Sequence, residues 1–159
     1  RKLVQSDHIA FVAGLMFAFS GFFVVHTNHL NMLQTAALIP WIMWASLMPF
    51  SSKNRAMGWF SIFVILISQQ ILAGHMQTSF MTGVFLLAYS YKDGLKKWGL
   101  IIGAFAAAFV LSAVQILPSF ELHGLSIRSK AFSVAETTHF SLHPKSFLTL
   151  LNPNILGNI

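Results

Sequence analysis

The polar side chains that could do chemistry lie at the ends of long apolar runs and in the short segments between them. Three of them, Gln69, Gln70 and Gln115, even fall inside apolar stretches, where a polar group needs a partner or a function. Helix-to-helix hydrogen bonding is the ordinary alternative to a functional site. The other polar residues of the same segments are His26, Asn28, His29, Asn31, Gln34, His75, Gln77, Thr78, Glu121, His123 and Arg128.

The histidines allow a metal site to be considered. His26 and His29 are three residues apart and would share one helical face, and His75 or Glu121 could complete a zinc shell. However, the sequence contains no His-Glu-x-x-His pattern, and the remaining ligands would come from distant helices. We therefore predict no cofactor, with a divalent metal as the less favoured alternative to histidines that only make hydrogen bonds.

Arg128 is the residue best suited to bind a phosphate group. A guanidinium at a membrane interface can hold a phosphate through two parallel hydrogen bonds. The structural alternatives are contact with lipid headgroups or an ion pair with Glu121, seven residues earlier and about two helical turns away.

Composition indicates which kind of element positions these residues. Of 159 residues, 55% are hydrophobic and only 9% are charged, which excludes both a water-facing globule and a disordered chain. The sequence has no cysteine, so disulfide scaffolds and thiolate sites are excluded as well. An integral membrane protein is the remaining class.

We predict an all-α membrane protein with about five transmembrane helices, because the apolar runs are too long and too continuous for barrel strands. A transmembrane region is expected over residues 1–118, with spans at about 9–25, 30–50, 57–72, 78–91 and 98–117. Pro40 predicts a kink in the second span.

The distribution of Lys and Arg predicts the orientation. Seven of the ten basic residues precede the first span or follow the second and fourth, whereas the connections at residues 26–29 and 73–77 hold none. Short basic segments stay in the cytoplasm, so the first residues lie inside and the histidine connections face out. The net charge of +6 therefore reflects topology and not a nucleic-acid partner.

Residues 119–159 are predicted to form an extracytoplasmic juxtamembrane segment with two short helices. Ser119 is expected to cap the first, which would place Glu121 in its first turn, beside the positive end of the helix dipole. Pro144 suits the first position of the second.

Four motifs in order resemble those of the YfhO-type bacterial membrane proteins. They are Phe17-Ala18-Phe19-Ser20-Gly21-Phe22 leading to His29-Leu30-Asn31 and Pro40-Trp41; Leu72-Ala73-Gly74-His75-Met76-Gln77-Thr78, with Met76 where that family usually has proline; Gln115-Ile116-Leu117-Pro118-Ser119-Phe120-Glu121-Leu122 followed by Ser126-Ile127-Arg128-Ser129; and Leu148-Thr149-Leu150-Leu151-Asn152-Pro153-Asn154 with Gly157.

This resemblance implies a GT-C-like glycosyltransferase in the bacterial cytoplasmic membrane. Such an enzyme takes a sugar from a polyprenyl-phosphate-linked donor and transfers it to a cell-envelope polymer on the outer face. The expected substrate-binding residues are Arg128, His75, Gln77, His29 and Glu121. The resemblance places the catalytic base upstream of Arg1, so the chain is expected to be an internal piece that is inactive alone.

Two other functions remain open at this point. A transporter or flippase segment would have repeat-related broken helices and a polar site near the bilayer midplane. A non-catalytic envelope-assembly protein would tolerate changes at His75 and Arg128.

Overall fold

The structure is a computed structural model that describes residues 6–48, 53–126, 138, 141, 143–152 and 154–157. Throughout this described part the regular elements are helical, which confirms the all-α class. Their order is α1 (Asp7–Ala18), α2 (Gly21–Val25), α3 (Leu30–Ala37), α4 (Ile39–Ser46), α5 (Lys53–Leu72), α6 (Met76–Tyr89), α7 (Leu95–Leu111) and α8 (Ala113–Leu125). Short 3₁₀ segments lie at Tyr91–Asp93 and Pro144–Leu150.

The chain divides into two compact units, Arg1–Leu117 and Pro118–Ile159. In the first unit, α5 is the central helix and packs most extensively against α7 and α4. It contributes Phe63, Ile67 and Ile71, four residues apart on one face, to a core completed by Ile42, Ala45, Leu86, Ile101, Ala104, Ala108 and Ile116. The helices α6 and α7 approach closely at Gly83, where an added Cβ would lie 3.3 Å from the Phe105 ring.

The stretch predicted as the second span is two helices. Pro40 has no N–H to donate to the carbonyl of Ala36, and the chain breaks at Leu38 before α4 begins. This break confirms the predicted kink and leaves α3 and α4 with eight residues each.

The stretch predicted as the fifth span also breaks, but at Ser112 and not at Pro118. The Ser112 hydroxyl donates to the Ser68 carbonyl of α5 at 3.4 Å, and the chain turns there into α8. Pro118 lies inside α8, so the predicted helix capped by Ser119 is wrong. Proline forfeits one hydrogen bond within a helix without always ending it.

The predicted helix after His143 is present as the 3₁₀ segment Pro144–Leu150. Pro144 occupies its first turn, and the His143 side chain accepts a hydrogen bond from the Lys145 N–H. The first turn is where a missing proline N–H costs nothing.

Length and composition identify one helical stretch in the described part that could cross a membrane, the 19 residues Asp7–Val25. The helices α7 and α8 pass the same test only together, with a 71° bend between them, and Ala56–Leu72 is a shorter apolar helix. With its 14 residues, α6 is about 21 Å long, less than the hydrocarbon core of about 30 Å. The five predicted spans therefore remain a prediction.

Candidate functional site

A buried glutamine joins three helices in the first unit. The Gln70 side chain on α5 is fully buried, and its Nε2 donates to the Thr35 carbonyl of α3 and to the Thr82 hydroxyl of α6, each at 3.0 Å. The Thr35 carbonyl can only accept, which fixes the amide orientation with Nε2 toward it. Gln70 Oε1 is the one buried side-chain nitrogen or oxygen without a hydrogen-bond partner among the described residues.

Hydrogen bonds continue from this glutamine to His75. The Thr82 hydroxyl donates to the Thr78 carbonyl at 2.8 Å, and the Thr78 hydroxyl lies 2.7 Å from His75 Nδ1. His75 is the N-cap residue of α6, and Nδ1 also accepts from the Thr78 N–H at 3.4 Å. This acceptor role requires the neutral tautomer with its proton on Nε2.

The two histidine-containing turns have nearly the same backbone conformation. His29 precedes α3 with φ −117° and ψ 70°, and His75 precedes α6 with φ −115° and ψ 78°. Each is followed by an apolar residue and then an amide, Asn31 or Gln77. Within this shared arrangement, only the His75 side chain caps its helix.

His26 and His29 lie near each other, with ring centroids 6.2 Å apart. His26 stacks on Phe22 at 4.5 Å, and its Nδ1 donates to the Phe22 carbonyl at 2.9 Å. In the described part of the chain no three His, Cys, Asp or Glu side chains are grouped so as to hold a metal ion.

The other predicted site residues divide between the two units. Gln77 is exposed in the first turn of α6 in the first unit. Glu121 is exposed on α8 in the second unit, nine residues into that helix, so the predicted first-turn position is wrong. Arg128 lies outside the described residues.

An open cleft lies beside the buried glutamine, between α3, α4 and the last turn of α5. Its volume is about 560 Å³, and its lining residues are Gln34, Ala37, Leu38, Trp41, Gln69, Leu72 and Ala73, all uncharged. The pairs Gln34–Thr35 and Gln69–Gln70 share one arrangement. The second residue of each pair is buried between helices, and the first is exposed and lines the cleft. The Gln70–Thr35 bond thus joins the two helices that carry the cleft amides.

Sequence reasoning did not identify this cleft. It named Gln34 and Gln69 among the polar residues that could do chemistry, and it gave Trp41 no role in binding. The signal that could have found it is the run of two adjacent amides, Gln69 and Gln70, in an apolar helix, because adjacent residues point about 100° apart and cannot both be buried on one narrow face.

Gln115, the third glutamine in an apolar run, lies near the turn before α6. Its Nε2 is 3.6 Å from the position that a Cβ on Gly74 would occupy. Gly74 has φ +84°. This backbone conformation favours glycine at the turn, beside the Gln115 side chain.

Comparison with protein-family models, with curated proteins and with solved structures found no match to this chain.

Proposed function

We propose that this chain is embedded in a membrane as a helical bundle, and the distribution of its side chains supports this. Among the described residues, eleven hydrophobic and eight polar side chains are buried, whereas forty large hydrophobic side chains are exposed. Water-soluble proteins bury large apolar side chains and seldom expose extended apolar patches. Small polar residues between helices with large apolar ones outside are typical of bundles in lipid.

The proposed orientation places the histidine turns outside and the lysines inside. The helices α5 and α6 are joined by the turn that contains His75, whereas the far end of α6 leads into Lys92 and then to Lys96 and Lys97. Basic residues and histidines therefore mark opposite ends of the same helix. This is the separation that the positive-inside rule relates to membrane sidedness.

We further propose that the chain belongs to a GT-C-like glycosyltransferase with about five spans in this region, which moves a sugar from a polyprenyl-phosphate donor to a cell-envelope acceptor. The observation that carries this proposal is the uncharged cleft with two amides and an indole, at the end of α5 opposite its basic first turn. The four motifs that resemble the YfhO-type proteins support the reaction type, with Arg128 at the donor phosphate.

A transporter or flippase is the second candidate function. Breaks at Leu38 and Ser112 interrupt two apolar stretches, and broken helices are typical of transporter binding sites. Liposomes containing the full-length protein and a fluorescent lipid-linked sugar distinguish the two functions. Sugar transfer to an added acceptor supports the enzyme, whereas movement of the intact lipid between leaflets supports the flippase.

Single-cysteine labelling tests the orientation, and the sequence has no native cysteine to interfere. Gln77 and Lys96 are exposed and belong to opposite sides in the proposal. In intact cells, an impermeant maleimide is expected to label the variant Gln77→Cys and to leave Lys96→Cys unlabelled until the cells are permeabilised. The reverse pattern would show the opposite orientation, and labelling of neither site before permeabilisation would place both inside.

Glu121→Gln tests the expectation that the catalytic base is not Glu121. Its side chain is exposed on α8, and a general base is worth about two to four orders of magnitude in rate. At saturating donor, we expect the full-length Glu121→Gln variant to lose less than about tenfold in turnover. A loss of about a thousandfold with normal expression would instead identify this carboxylate as the base.

A further inference from the structure

The volume and lining of the cleft between α3, α4 and α5 indicate what kind of ligand it could bind. Its volume of about 560 Å³ falls in the range of roughly 300–1,000 Å³ that small-molecule sites occupy. Because its lining is uncharged, a bound ion would lose its hydration without gaining a countercharge. The lining therefore selects a neutral ligand.

The polar groups of the cleft match hydroxyl groups. Gln34 and Gln69 are both exposed, and each amide offers donors and an acceptor on one side chain. A sugar hydroxyl likewise donates and accepts, so each amide can pair with one or two hydroxyls. An alkyl chain in the same place would leave both amides without partners.

The lining of the cleft includes an aromatic ring on which a sugar ring could stack. Trp41 is 60% exposed and lines the cleft, and Trp44 meets it edge-on with ring centroids 6.4 Å apart. Trp44 is held in turn by Trp59 at 5.4 Å. The Trp41 indole is thus braced from one side and still presents a flat apolar surface with a negative face, to which the C–H groups of a pyranose are attracted.

A buried hydrogen bond lies next to the cleft. The Gln70 bond to the Thr35 carbonyl joins α5 to α3 one residue away from each cleft amide. This fully buried link joins the two helices that carry Gln69 and Gln34 before a ligand arrives, so less backbone freedom is lost on binding.

We propose that this cleft binds the ring of a neutral hexopyranose, stacked on Trp41 with its hydroxyls paired to the Gln34 and Gln69 amides. The origin of that sugar, in the donor or in the acceptor, rests on the proposed glycosyltransferase function. The binding itself does not.

Saturation-transfer NMR on the full-length protein in phosphatidylethanolamine–phosphatidylglycerol nanodiscs tests the proposal. The probes are the methyl glycosides of glucose, galactose and N-acetylglucosamine, which have no alkyl tail to enter the lipid. We expect transfer to the ring protons of at least one glycoside, and we expect Trp41→Ala to weaken that binding about tenfold or more. Gln34→Leu and Gln69→Leu are each expected to weaken it about three- to tenfold.

Two variants serve as matched controls. Trp98→Ala removes an exposed tryptophan of α7 that does not line the cleft, and is expected to change binding less than about threefold. Trp41→Phe keeps an aromatic face and is expected to retain most of the affinity. If Trp41→Ala fails to give a monodisperse protein, the losses expected for Gln34→Leu and Gln69→Leu, both at exposed positions, decide the test.

Three results would overturn the proposal: no ring-proton transfer from any of the three glycosides, equal binding by wild type and Trp41→Ala, or Trp41-dependent binding of adenosine or 1-octanol in place of the glycosides. In the transfer assay, a higher KM of Trp41→Ala for the donor or for the acceptor assigns the sugar to that substrate, and two unchanged KM values contradict its role in transfer. Glycoside binding without any detectable transferase activity would reject the proposed function and leave the site standing.

Discussion

Replacing Gln70 by Glu is expected to lower the free energy of unfolding by about 3–5 kcal/mol at neutral pH, because it leaves an uncompensated charge among buried groups. The side chain is fully buried, and its Nε2 makes both hydrogen bonds, to the Thr35 carbonyl and to the Thr82 hydroxyl. A carboxylate cannot donate either bond and would face the Thr35 carbonyl oxygen directly. Denaturant titration of the full-length protein in mixed micelles measures the change.

Two variants separate charge from shape in this experiment. Gln70→Met keeps the length of the side chain and also removes the unpaired Oε1, so its cost is expected to be only about 1 kcal/mol. Gln69→Glu places the same charge on the next, exposed residue and is expected to be near neutral. Equal losses for Gln70→Glu and Gln70→Met would contradict the role given to the buried amide.

The helical class and several local features follow directly from the sequence. Long apolar runs predict helices, and Pro40 and Pro144 each predict a local event that the structure contains, a break before α4 and the start of a 3₁₀ helix. These predictions depend only on the missing N–H of proline and its restricted φ. They need no knowledge of neighbouring helices.

The break at Ser112 could not be predicted in the same way. At this break the Ser112 side chain makes a hydrogen bond to the backbone of α5, 44 residues earlier in the chain. Judged from the local sequence alone, the nearby Pro118 is the stronger indication of a helix end. The structure has this tertiary contact at the observed break and has no break at Pro118. The incorrect placement of Glu121 in a first helical turn follows from choosing the local signal.

The candidate site was predictable in composition but not in geometry. Sequence reasoning selected Gln69, Gln70 and Gln115 as unusual polar residues, yet it could not assign Gln70 to the interior and Gln69 to a cleft. In a soluble helix the apolar face marks the buried side, but here the exposed faces are apolar as well. The periodicity that would assign each glutamine to a side is therefore missing.

Arg128→Ala is expected to reduce the rate of sugar transfer about ten- to a hundredfold at low donor concentration. In the proposed function its guanidinium contacts the donor phosphate, and a charge-assisted hydrogen bond contributes more than a neutral one. Arg128→Lys keeps the charge but loses the planar two-pronged donor arrangement, so it is expected to recover little of the activity. Initial rates of the full-length protein with a polyprenyl-phosphate-linked sugar measure both variants.

The control for Arg128 is the removal of a charge on the opposite side of the proposed bundle. Lys96 is exposed in the first turn of α7, on the side proposed to be cytoplasmic. The variant Lys96→Ala is expected to transfer sugar at close to the wild-type rate.

The dependence on donor concentration shows how the phosphate contact of Arg128 acts. If the contact is equally strong in the ground state and the transition state, the loss of rate in Arg128→Ala should shrink as the donor approaches saturation. A deficit that persists at saturation would show that the contact strengthens as the bond to the phosphate breaks. Wild-type rates for Arg128→Ala at low donor concentration would remove this residue from the donor site.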